Sequence, residues 1–296
     1  MRELKIPKKN GSFRVVVCPT RDEKKRLRAL LPRLAAAERR LAELRGVAQV
    51  AHGFVTGRSP VTNAEAHIGA WLATVSMDLS GWFDSVRCDQ IAAALRAAGE
   101  DPALAERVTV DGVARQGLPT SPVAANLAGV ALDVDLIARL DRLGVAYRYT
   151  RYADDLTVSI MSDDRACIDR VIACATEAAA AQGWAISTRK THVYYARAGR
   201  RIVTGVAVGA QQIYPTREVR RRLRAGRHRR PNAPETRGLA EWARLRPPRT
   251  QERRVIRGYA PSTVAPAPVP TPSAVAPAPM PTPSVARVIR RKGGAE

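Results

Sequence analysis

Two adjacent carboxylates, Asp154 and Asp155, stand where two strand-like runs meet, Ala146 to Ala153 and Leu156 to Ile160. A simple hairpin turn usually carries Gly or Asn beside its Asp. Two like charges side by side between strands are costly unless a cation neutralises them. A second apolar strand, Thr74 to Met77, ends in Asp78 and can converge on the same point. Three acids delivered from neighbouring strands offer hard oxygen ligands, which select Mg²⁺ or Mn²⁺. Two such ions about 4 Å apart activate an attacking 3′-hydroxyl and stabilise a leaving pyrophosphate. The pattern implies a nucleotidyl transferase with Asp78, Asp154 and Asp155 as its catalytic and metal-binding residues.

The charge balance names the partner. Lys and Arg number 49 against 27 Asp and Glu, a net charge of +22 with an isoelectric point near 11.0. Such an excess attracts polyanions through phosphate contacts and counterion release. The preference for Arg over Lys could reflect coding bias, but that bias does not create a surplus of bases over acids. The four cysteines, Cys18, Cys88, Cys167 and Cys174, have no metal-ligand spacing. With no secretory signal ahead of them, reduced thiols in a cytoplasmic protein are expected. No apolar run approaches the length of a membrane span, so no membrane association is expected.

Along the chain, Lys8 to Gly11 reads as a turn between Leu4-Lys5-Ile6 and a strand from Phe13 to Val17. Leucines at helical spacing predict a basic helical segment from Asp22 to about 48, with Pro32 marking a break. Helices are expected over 89–98, 122–143 and 163–182, with Ser121 as cap and Pro122 as first residue of the second. Short strands are expected over 184–187, 193–196 and 201–208. Beyond Pro215 the chain turns strongly basic, with Arg220, Arg221 and Arg224 on a helix facing nucleic acid. From Pro261 a doubled Val-Ala-Pro-Ala-Pro block with few backbone donors predicts a disordered, extended tail with a basic end. This order of elements is α+β.

Between residues 4 and about 245 the blocks resemble reverse transcriptases. Lys8-Lys9-Asn10-Gly11-Ser12-Phe13-Arg14 looks like the fingers hairpin that meets the incoming triphosphate, which implies nucleotide contacts for Arg14 and one of Lys8 or Lys9. Asp78-Leu79-Ser80-Gly81-Trp82-Phe83 is similar to the first catalytic block, with Phe83 the apolar gate under the sugar that disfavours a 2′-hydroxyl. Gln116-Gly117-Leu118-Pro119-Thr120-Ser121-Pro122 resembles the template and nucleotide-positioning loop. The block from Trp184 to Thr191 resembles a later palm segment in which Lys190 could protonate pyrophosphate. Asn63-Ala64-Glu65-Ala66-His67 and Val203-Thr204-Gly205 match the N-A-x-x-H and V-T-G patterns of the retron subfamily.

The resemblance implies a right-hand polymerase fold: fingers at about 1–70, a palm with an antiparallel sheet at 71–213, a short basic helical thumb at 214–258, then the tail at 259–296. It implies dNTP substrates, Mg²⁺ cofactors, a cognate structured noncoding RNA, a branched RNA–DNA product, and antiphage defence with a separate effector protein. Asn63, His67 and Thr204 are RNA-contact candidates, with a structural role also open for His67, which has no partner at metal-ligand spacing. The rival readings are another bacterial reverse transcriptase, defence-associated or intron-like, and an RNA-binding protein with a silent polymerase site. Three intact acids disfavour the latter.

Overall fold

The computed structural model describes residues 1–7, 11 and 13–245. Lys8, Lys9 and Asn10 of the expected turn, the end of the expected thumb and the Pro-rich tail lie outside them. The first two strands, β1 (Arg2–Pro7) and β2 (Phe13–Cys18), pair antiparallel with Pro7 opposite Phe13. Thr20 caps the long helix α1 (Arg21–Leu44), exchanging hydrogen bonds with Glu23 in a capping box. Pro32 does not break this helix. It removes one amide donor on an exposed side, while Leu27, Leu30, Leu34, Ala37 and Leu41 form one buried stripe across it, and that packing outweighs the local defect.

A short helix α2 (Pro60–Glu65) precedes β3 (Ala73–Asp78), followed by α3 (Trp82–Ser85), α4 (Cys88–Ala97), α5 (Leu104–Val108) and α6 (Ser121–Asp141). Ser121 is not the cap of α6: Thr120 holds that position, and the Ser121 hydroxyl donates to the Arg115 carbonyl at 2.6 Å, tying the preceding loop to the helix. Next come β4 (Tyr147–Tyr152), β5 (Asp155–Ile160), α7 (Arg165–Ala181) and β6 (His192–Tyr195). Residues 184–187 form no strand. Their backbone instead serves the site, Ala185 accepting from Ser80 and Ser187 donating to Asp78. The expected strand over 201–208 is a hairpin, β7 (Arg201–Val203) and β8 (Val206–Val208), because Thr204 and Gly205 both take positive φ and turn the chain. β9 (Ile213–Pro215) completes that sheet, and the basic helices α8 (Arg217–Arg229) and α9 (Pro234–Ala243) follow.

The central sheet has the order β4-β5-β3-β6, antiparallel throughout. Because side chains alternate along a strand, its two faces differ. Val75, Met77, Leu156, Val158 and Ile160 share the main core with Leu127, Leu132 and Leu136 of α6 and Ile168 and Val171 of α7. The other face carries Thr74, Thr150, Thr157 and Ser159, each also buried. Truncating a core leucine such as Leu132 to alanine costs about 2–5 kcal/mol. Among the described residues no helix is long and apolar enough to cross a membrane.

Candidate active site

The register of the sheet brings the acids together. Asp78, last residue of β3, lies opposite Asp155, first residue of β5, and Asp155 also faces Tyr152 across the β4–β5 turn. Asp154 sits in that turn, its carbonyl accepting from the Leu79 amide at 2.9 Å. Burial, then the charges of Asp154 and Asp78, push the Asp155 carboxyl up to about 6. Burial also raises Asp154, against an opposing pull from Lys190 and Arg14. Lys190 places Nζ 2.8 Å from both Asp78 oxygens. Arg14 is exposed on β2, and its charge reaches Asp154. Asp78 is thus paired with Lys190, while the raised carboxyls of Asp154 and Asp155 lack an ion-pair partner of their own among the described residues.

The turn that carries Asp154 rests on groups that the sequence pattern does not single out. Ala153 takes a left-handed φ of 57°, and Gly53 lies so close that a Cβ there would stand 2.4 Å from the Ala153 nitrogen. Beneath it, Arg151 and Asp133 form an ion pair with both side chains at or below 1% exposure. Arg151 Nε and Nη2 reach Asp133 at 2.9 and 2.8 Å, while Nη1 donates to Asn126 at 2.9 Å and the Ala153 carbonyl at 3.4 Å. Tyr149 donates to Asp133 at 2.8 Å, and Asn126 Nδ2 to the Gly53 carbonyl at 2.7 Å. Gly129 in mid-helix leaves room for the guanidinium, which a Cβ there would meet at 2.7 Å. Asp133, which ends the uncharged run Ser121 to Leu132 of α6, is the one sequence signal for such a pair; Arg151 shares β4 with Arg148 and does not stand out.

Phe83 on α3 is half-buried, its ring 5.7 Å from Trp82 and 6.2 Å from Phe54. Gln116 is half-buried too, and its carbonyl accepts from the Val17 amide at 2.7 Å. This fixes the loop to the base of β2. A Cβ at Gly117 would stand 2.2 Å from the Val17 carbonyl, which explains the glycine.

Two expected RNA contacts are corrected. Asn63 and His67 have no exposed surface. Asn63 Nδ2 donates to Thr204 at 3.4 Å, and His67 bridges Ser159 at 2.8 Å and Thr150 at 2.7 Å. The hydroxyl face of the sheet takes His67, and Thr204 in the β7–β8 turn takes Asn63, so neither side chain is presented at the surface. Thr204, half-buried, donates to the Pro60 carbonyl at 3.0 Å. The two short motifs are therefore joined inside the protein, next to buried Arg201, which donates to the carbonyls of His67 and Gly69. Arg220, Arg221 and Arg224 lie exposed on α8, held by buried Leu223.

A family model described as reverse transcriptase (RNA-dependent DNA polymerase) matches residues 6–229. The chain belongs to the reverse transcriptase family. Retron Mx65 reverse transcriptase of Myxococcus xanthus is 35% identical over 245 residues, 75% of this chain and 54% of that one. Retron Mx162 reverse transcriptase of the same organism is 35% identical over 265 residues, 76% and 51%. Retron Ec86 reverse transcriptase of Escherichia coli is 29% identical over 180 residues, 60% and 54%. The chain spans about half the length of these curated relatives. Among solved structures, telomerase from Candida albicans with a TWJ fragment of telomeric RNA superposes with a TM-score of 0.57 at 13% identity, covering 73% of this chain and 46% of that one. Apo telomerase from Candida tropicalis, truncated from its C-terminal domain, gives 0.55 at 11%, covering 73% and 54%. The fold is the right-hand α+β fold of reverse transcriptases.

Membership in the family implies dependence on divalent metal ions. The donor set fits: Asp78, Asp154 and Asp155 offer only hard oxygens, and the raised carboxyls of Asp154 and Asp155 mark a place that a cation would stabilise. The fit is one of chemistry rather than of a preformed cage. Among the described residues no three acidic, His or Cys side chains are gathered as an ion-holding group, and Lys190 occupies both oxygens of Asp78.

Proposed function

We propose that this chain is the cytoplasmic polymerase of a retron: an RNA-directed DNA polymerase that copies part of a cognate structured noncoding RNA into single-stranded DNA. The observation that carries the proposal is the register pairing of Asp78 with Asp155, with Asp154 alongside, in a chain similar to retron reverse transcriptases over most of its length. Two Mg²⁺ ions held by these carboxylates would neutralise the reacting phosphates and lower the pKa of the primer hydroxyl; Mn²⁺ has suitable chemistry as well.

The chain's own groups supply the rest. Arg14, with Lys8 or Lys9, meets the triphosphate, and Gln116 shapes the floor beside the nucleotide. Phe83 presents an apolar wall to the sugar, which leaves a 2′-hydroxyl without a hydrogen-bond partner and favours dNTPs. Lys190 is near enough to Asp78 to deliver a proton to departing pyrophosphate. Fingers at about 1–70, a palm at 71–213 and a thumb to about 258 divide the work, with Arg220, Arg221 and Arg224 on RNA or DNA phosphates. Priming from a 2′-hydroxyl of the RNA gives a branched product, and the biological role is antiphage defence alongside a separate effector.

The test is to express the protein with its native upstream DNA and examine RNase-resistant nucleic acid. A defined single-stranded DNA that debranching shortens, and that Asp154→Asn/Asp155→Asn lacks, is the expected result. DNA without a 2′ branch would exclude the retron reading. RNA bound without any DNA would exclude polymerase function.

A further inference from the structure

The chain holds three phenylalanines, and the fold places none of them fully inside. Phe13 lies on the fingers hairpin, 61% exposed, and Phe83 is half-buried on α3, which follows β3 and its terminal Asp78. Phe54 is 51% exposed with a backbone φ of 61°, left-handed for a bulky aromatic residue. Such a conformation is unfavourable without glycine and persists only where its surroundings enforce it. Here they do. The His52 amide donates to the Arg151 carbonyl at 2.7 Å, Asn126 holds the Gly53 carbonyl, and Arg58 donates to the carbonyls of Ala48 and Ala51. The segment before Phe54 is thereby locked against the catalytic turn, and the ring stands free at its rim, edge-on to Phe83.

An exposed ring held in strain at the mouth of a nucleotide-polymerising site has little value for packing, since half of it remains in water. Its face suits a base. We propose that Phe54 is a contact for the terminal base pair of the primer–template duplex; the inference rests on the polymerase reading above. The sheet supports this choice over the incoming nucleotide. Phe54's segment is bonded to β4, one edge strand, at the Ala51–Arg151 bridge. Lys190, the proposed pyrophosphate partner, precedes β6 on the opposite edge. The duplex end and the triphosphate then lie on the two sides of the acids, with Phe83 between them under the sugar.

Phe54→Ala, Phe54→Gly and Phe54→Trp separate this role from a structural one. The readouts are fluorescence anisotropy of a recessed RNA–DNA hybrid, KM for dNTP on the same hybrid, and urea unfolding. Loss of an aromatic–base contact weakens binding on the order of tenfold. Alanine and glycine variants are therefore expected to bind the hybrid about tenfold less tightly with KM for dNTP within about twofold of the parent, while tryptophan restores affinity. Glycine, free to take the left-handed conformation, is expected to unfold no earlier than the parent. Unchanged hybrid affinity in both alanine and glycine variants, or a change confined to KM for dNTP, would overturn the assignment. Because anisotropy needs no turnover, a parent protein without polymerase activity whose hybrid affinity still falls on substitution would sink the proposed function and leave this contact standing.

Discussion

Two arginines are buried among the described residues, one on each side of the central sheet, and they are neutralised in opposite ways. Arg151, beneath the catalytic turn, has a full carboxylate partner in Asp133, and burial and that partner work against each other with the partner prevailing, so its guanidinium is held more firmly charged. Arg201, first residue of the β7–β8 hairpin, is 2% exposed and meets no carboxylate among the described residues. Carbonyls of His67, Gly69 and Gly209 and hydroxyls of Thr74 and Ser159 surround it, and burial lowers its pKa. The first arrangement fixes a point, the turn at Ala153 and Asp154, whose Ala153 carbonyl Arg151 holds. The second spreads one charge over many neutral dipoles and joins several segments, as suits a seam between the catalytic sheet and the sheet before the basic helices.

The largest effect is expected at Arg151. Arg151→Met leaves the Asp133 carboxylate buried and unpaired, which costs about 3–5 kcal/mol. Urea unfolding should show that loss, and the Asp133→Leu/Arg151→Met pair should recover most of it because neither charge is then stranded. A double variant as unstable as the single one would mean that Tyr149, Asn126 and the Ala153 carbonyl, rather than the ion pair, carry the stability.

Arg201→Met should cost less, about 1–3 kcal/mol, because it strands only neutral acceptors. Equal losses at the two arginines would erase the distinction between a paired and a distributed charge. Next to Arg201, His67 is fully buried, and burial first, then His52, Arg201 and Arg148, depress its pKa well below 6.5. His52, bonded to Thr62 and buried near Arg58, is lowered to about 3. Below pH 6.5 the unfolded chain therefore binds protons that the folded one refuses, so stability falls as pH drops through the window from 6.5 toward 3. Each histidine contributes a slope of up to about 1.4 kcal/mol per pH unit. Asp155 opposes one of them, since its raised carboxyl takes up a proton in the folded state below about 6. His67→Gln should remove about one histidine's share of the slope between pH 6.5 and 5; an unchanged slope would contradict the buried neutral state.

The contrast between the arginines also marks where sequence was readable. The strands that carry the acids follow from short apolar runs between turn residues, and most helices from the periodicity of an amphipathic face. The polar face of the central sheet does not. Thr74, Thr150, Thr157 and Ser159 look like residues turned to water, and only the cover provided by His67 and Arg201 makes that face internal. Asn63 and His67 likewise read as candidates for an RNA surface, when both are buried, His67 bonded to Ser159 and Thr150 and Asn63 Nδ2 to Thr204. Pro32 misled in the other direction: a local breaker yields when a long apolar stripe is buried on both sides of it.

The smallest effect on stability is expected at a third set of arginines, Arg220, Arg221 and Arg224, exposed on α8. Unlike the buried pair, these have nothing to lose on folding and everything to gain on meeting phosphate. Each contact neutralising a phosphate lowers the slope of log affinity against log salt by about 0.7–0.9. Replacing each with alanine should leave the urea midpoint in place and flatten the salt dependence of RNA binding by about that amount, cumulatively along the series. Flattening without change in unfolding places the helix on nucleic acid. If instead the midpoint falls and the slope holds, these arginines belong to the fold as Arg201 does, and the division between interior and surface charge would need to be redrawn.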